Sequence, residues 1–78
     1  MTRILIVDDE PAIRTTTQKI LQRDGYETTV AANAADALAA LETGDIDLLL
    51  SDIIMPGMDG VALMARALEL RPELKVIQ

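Results

Sequence analysis

Two periods alternate along this chain. Residues 3–7, RILIV, are a continuous β-branched and leucine run, the pattern of a strand buried on both faces, as in a parallel sheet. DDEP follows, and Pro11 suits the first turn of a helix, where its missing N–H costs nothing. Ile13, Ile20 and Leu21 then give a sparse apolar stripe at helical spacing, and Gly25 after Asp24 marks the stop. Residues 26–31, YETTVA, predict a second, shorter strand. Asn33 is placed to cap a second helix, with Asp36 in its acidic first turn. Ala37, Leu38 and Leu41 form that helix's inner stripe, and Gly44 ends it. Residues 47–51, DLLLS, predict a third strand that ends at Asp52. MPGM then puts proline and glycine at the centre of a turn, which suits type II. Asp59 is a cap for a third helix with Val61, Leu63, Met64, Ala67 and Leu68 on its buried face, and Pro72 closes it. Residues 75–77, KVI, begin a fourth strand.

The order is β-α-β-α-β-α-β with short connections and no internal repeat. Strands and helices alternating at this length predict one α/β domain over 1–78, a three-layer parallel sheet covered on both faces. Half of the 78 residues are apolar and almost all of those are aliphatic, with Tyr26 the only aromatic. That suffices for a single thin core.

Charge and composition narrow the function. Thirteen acidic against seven basic residues leave a net charge of −6, which repels phosphate backbones and argues against nucleic-acid binding. No basic amphipathic stretch suggests a membrane surface, and the apolar runs are too short to span one. No signal-peptide pattern opens the chain, so the cytoplasm is the expected location. Cysteine and histidine are both absent, which disfavours thiol chemistry and zinc.

The candidate chemistry is carboxylate chemistry. In open α/β sheets, ligands sit beyond the carboxyl ends of strands, where strand order reverses. Asp8 and Asp9 follow the first strand, and Asp52 follows the third. If the second strand lies outside the first, the first and third are neighbours, about 4.8 Å apart. Their acidic tips then converge. Carboxylates gathered at one rim repel one another unless a cation or hydrogen bonds compensate. Mg2+ is the simple remedy, since it takes oxygen ligands, often one or two carboxylates with a phosphate oxygen. Taken singly, each motif has a plainer explanation. Asp9 and Glu10 fit the acidic first turn of a helix, and Asp52 fits a turn former. Met55, Met58 and Met64 fit packing. What favours chemistry is the joint placement of two acidic strand ends on one rim, with Asp52 several apolar residues ahead of its turn.

ILIVDDEP at 4–11 and LLLSDIIMPGMDG at 48–60 resemble the receiver domain of two-component response regulators, and the resemblance runs over all 78 residues. It implies a flavodoxin-like strand order, 2-1-3-4, which is the order of the chemotaxis receiver and is taken from the family rather than from spacing. By that resemblance Asp52 is the phosphoacceptor, Asp9 binds Mg2+ directly, and Asp8 holds it mainly through water. The backbone carbonyl of Ile54 is a further ligand, and Met55, Pro56 and Gly57 shape the loop beside the phosphate. The implied donor is a phosphohistidine on a sensor histidine kinase or a histidine phosphotransfer protein.

The family's switch serine or threonine follows strand four and its conserved lysine ends strand five. Neither has a counterpart here, and Lys75 precedes the fourth strand's apolar residues. The chain is therefore expected to be an incomplete receiver, lacking helix four, strand five and helix five, with impaired switching. An unpaired fourth strand and an uncovered apolar face then predict self-association. Two other readings stay open. One is a Mg2+-dependent phosphatase with an aspartate nucleophile, although Glu10 stands where that class places its second aspartate. The other is an inert, oligomerising scaffold.

Overall fold

The computed structural model describes residues 2–43, 45–51 and 60–77. Within them the elements are β1 (Arg3–Val7), α1 (Pro11–Arg23), β2 (Glu27–Ala31), α2 (Ala34–Thr43), β3 (Leu48–Ser51), α3 (Gly60–Leu70) and β4 (Lys75–Ile77). All four strands are parallel in one sheet of order β2-β1-β3-β4, as the resemblance implied. β2 and β3 each begin one residue later than their patterns predicted. Gly44 and residues 52–59, and with them Asp52, Ile54, Met55, Pro56, Gly57, Met58 and Asp59, lie outside the described residues.

Local chemistry sets the helix ends. Pro11 opens α1 after Glu10, whose backbone is extended. The helix closes through Gly25 at φ +92°. The Gly25 N–H donates to the Gln22 carbonyl, and the Tyr26 N–H reaches back to the Leu21 carbonyl, both at 3.1 Å. This is the glycine-dependent stop that satisfies orphan carbonyls. At the start of α2, the Asn33 Oδ1 accepts the Asp36 N–H at 2.8 Å, the side-chain cap expected from the sequence.

The main core lies on one face of the sheet. Leu5, Val7, Ala31 and Leu49 face Ala34, Ala37 and Leu41 of α2 and Leu63 and Ala67 of α3, with Ile46 and Leu74 closing the ends. Leu38 packs against this cluster. Leu68, expected on the buried face of α3, is 37% exposed, because the inward side of that helix runs through Leu63 and Ala67. The side chains of Val61 and Met64 lie outside those described.

The opposite face differs from the apolar stripe expected of α1. Ile13 and Ile20 are 51% and 50% exposed, and α1 buries no residue fully. Its inward side is the i, i+3, i+4, i+7 set Arg14, Thr17, Gln18 and Leu21, each half-buried. Three of those four are polar. The Gln18 and Gln22 amides both donate to the Thr28 hydroxyl at 3.1 Å, so α1 rests on β2 partly through hydrogen bonds. Beneath it, Ile4 and Ile6 are buried. β4 bonds to β3 on one side only among the described residues, and Ile77 is 52% exposed.

Candidate functional site: the acidic rim of β1 and β3

β1 and β3 are adjacent and parallel, with Ile4 opposite Leu48, Leu5 opposite Leu49, Ile6 opposite Leu50 and Val7 opposite Ser51. Val7 and Ser51 are the residues immediately before Asp8 and Asp52 in sequence. Both acid-bearing segments therefore leave neighbouring strands at one end of the sheet and in register. This is the carboxyl end, where strand order reverses between β1 and β3.

Asp8 is held at three of its atoms. Its N–H donates to the Ala31 carbonyl at 3.2 Å, extending the β1–β2 ladder one residue past the strand. Its Oδ1 accepts the Glu10 N–H at 2.9 Å, a local turn in which the carboxylate stands in for a backbone acceptor. Its carbonyl accepts from the Arg14 Nη1 at 2.8 Å. Asp8 is half-buried, while Asp9 and Glu10 are exposed. Ser51 is 5% exposed at the end of β3. An open crevice of about 250 Å³ lies between α1 and the two strand ends, lined by Ile6, Val7, Asp8, Thr17, Leu50 and Ser51.

A larger hollow of about 770 Å³ opens beside Thr2, Asp47 and Lys75. It lies at the amino ends of the strands, away from the rim where this architecture binds ligands. The acidic rim is therefore the site that fits the chemistry.

Asp8 and Asp9 were expected at this rim, and the strand they follow brings them there. Asp52 and the Ile54 carbonyl fall outside the described residues. The expected metal set needs them, and no group of three acidic side chains suited to a metal occurs among the described residues. The donors at the rim are oxygen atoms in a chain with no cysteine or histidine. That chemistry fits a hard cation such as Mg2+ and not a zinc-type ion. Arg14 was not singled out from the sequence. The signal was present: a base six residues after Asp8, one turn into the following helix.

The family model for the response regulator receiver domain matches residues 4–78. The chain belongs to this family. As a receiver-family chain it is 42% identical over 77 residues to the response regulator receiver protein CpdR of Brucella abortus, covering 99% of this chain and 64% of that one. Among solved structures, the CheY-like receiver domain protein of Methanospirillum hungatei superposes with a TM-score of 0.95 at 45% identity, covering 97% of this chain and 61% of that one. TrrA of Thermotoga maritima, solved in complex with Mg2+-BeF, superposes with a TM-score of 0.92 at 39% identity, covering 97% and 66%. TrrA is also known in complex with the histidine kinase ThkA. The receiver chain thus spans about two thirds or less of the proteins it resembles. No helix among its described residues is long and apolar enough to cross a membrane.

Proposed function

We propose that this chain is the phosphoacceptor part of a receiver, taking a phosphoryl group onto Asp52 from a histidine kinase or a histidine phosphotransfer protein. The observation that carries the reading is the β1–β3 register, which sets Val7 beside Ser51 and so starts both acidic segments from one rim. Asp8, Asp9, Asp52 and the Ile54 carbonyl would hold Mg2+. When bound, the ion supplies positive charge that offsets the charge developing on the phosphoryl oxygens. TrrA, the relative solved with Mg2+-BeF and with a histidine kinase, supports both the metal and the donor.

The protein's own part is orientation and attack. The rim holds the Asp8 backbone at its N–H and carbonyl, so the acidic loop is ordered before a donor arrives. An Asp52 carboxylate oxygen attacks the phosphorus of the donor's phosphohistidine and forms an O–P bond. The P–N bond breaks with its electron pair going to the ring nitrogen, and the imidazole leaves neutral, taking a proton from water where its other nitrogen carries none. The product is an aspartyl phosphate, which carries about −1.5 to −2 charge in place of the carboxylate's −1. The chain acts as a signalling module and turns over no separate substrate. Its setting would be the cytoplasm.

The described residues would self-associate through the face that α1 only partly covers. Ile13, Ile20, Val30 and Ile77 are exposed, and Val30 and Ile77 share the strand face of Ile6 and Leu50 in the ladder. Exposed apolar side chains on this side of the sheet are the surface through which association would run.

Incubation with a small acyl phosphate and Mg2+, followed by intact-mass measurement, tests acceptance directly. A gain of one phosphoryl group, absent in Asp52→Asn and without Mg2+, is expected. Labelling that persists in Asp52→Asn would contradict the assignment.

A further inference from the structure

We propose that Arg14 is a positioning residue for the divalent-cation site, its guanidinium pinning the Asp8 carbonyl and thereby fixing the acidic loop in its ion-binding form. The inference rests on the reading of Asp8 and Asp9 as ion ligands given above.

Three observations carry it. The Nη1–carbonyl bond is short, 2.8 Å, and part-buried, so a charged donor there is only partly screened by water. It acts on the same residue whose Oδ1 is tied to the Glu10 N–H and whose N–H is tied to Ala31. Removing Arg14 thus frees one of three anchors on the residue that leads into Asp9. Finally, Arg14 is the base at this rim. Of the seven basic residues, Arg3 and Lys75 stand at the amino ends of β1 and β4, and Lys19 and Arg23 lie toward the far end of α1. Arg66 is in the middle of α3, and Arg71 follows it and pairs with Glu73.

Two effects of Arg14 on cation binding have opposite signs. Its positive charge repels Mg2+, which on its own makes removal tighten binding. Its hydrogen bond orders the ligand loop, which makes removal weaken binding. Part-burial and the direct hold on the Asp8 backbone favour the second. Partners that orient metal ligands typically contribute 10- to 100-fold in affinity. The contact here is to backbone and the lost charge opposes it, so the expected loss is about tenfold.

The test is a Mg2+ titration of the full chain, followed through the backbone amide signals of Asp8, Asp9 and Glu10 by NMR, with thermal unfolding recorded without metal. Arg14→Ala should weaken Mg2+ binding about tenfold. Arg14→Gln, which loses the charge but can still donate to the carbonyl, should recover part of that loss. A purely structural role would lower the melting temperature and leave the Mg2+ affinity of the folded chain unchanged. Unchanged or tighter binding in both variants would overturn the proposal, as would equal weakening in both. Failure of the parent chain to bind Mg2+ would overturn the site reading and this inference with it. Binding by the parent with unaltered variants would overturn the role of Arg14 alone.

Discussion

Replacing Gly25 with alanine changes one backbone requirement and almost nothing else. Gly25 sits at φ +92°, and a Cβ built on it meets nothing within 4 Å. No clash therefore enters, and the cost is conformational. An L-residue at positive φ costs about 1–2 kcal/mol. Against this, alanine restricts the unfolded chain and restores about 0.4–1 kcal/mol. The strain is the larger, and the net loss is about 1 kcal/mol. A chain of 78 residues typically has about 4–12 kcal/mol of stability, so this loss is measurable. Urea unfolding followed by far-UV circular dichroism should show a lower midpoint at an unchanged slope. Gly25→Asn should lose less, because asparagine tolerates this region better. A more stable Gly25→Ala protein would refute the reasoning, because the unfolded-state gain would then exceed the strain.

Leu49→Ala, at a fully buried site on central strand β3 between Leu5 of β1 and Val76 of β4, should cost about 2–5 kcal/mol in urea unfolding, and a loss under about 1 kcal/mol would mean the core is not packed as described. Ile13→Lys with Ile20→Lys should shift sedimentation toward monomer while changing folding stability by no more than about 0.5 kcal/mol each; association that persists unchanged would move the contact to another face. Hydrogen bonding to its own backbone N–H and to the Arg71 side chain lowers the Glu73 carboxyl below its ordinary value of 4.5. Its contribution to stability is therefore present above the unfolded value and lost as pH falls through the lower folded one, so Glu73→Gln should flatten that part of the acid limb, and an unchanged limb would contradict the contact.

Apolar runs were the legible part of this fold. RILIV and LLLS read as buried strands because both faces of a central parallel strand are covered, and β1 and β3 are those strands. The caps at Asn33 and Gly25 were legible because each residue type satisfies a specific backbone need. The inner side of α1 was not. Arg14, Thr17 and Gln18 face inward through hydrogen bonds and aliphatic stems, which hydropathy cannot register, so the stripe was misplaced onto Ile13 and Ile20. At the rim, Asp8 and Asp9 stood out because two strand tips carried acid at the same end. Strand order followed from the family resemblance, since spacing alone left it conditional. Arg14's place one turn into the helix after Asp8 was legible, but its partner, a backbone carbonyl, is marked by no side-chain pattern.

The central claim is that the tips of β1 and β3 form one Mg2+ site with Asp52 as its phosphoacceptor. Beryllium fluoride, which mimics a phosphoryl group on aspartate, tests this most directly when titrated with Mg2+ and followed by NMR. The account predicts saturable shifts at Asp8, Asp9 and Ser51 that require both reagents and vanish in Asp52→Asn. Shifts that survive in Asp52→Asn, or a rim unresponsive to the two reagents together, would contradict it.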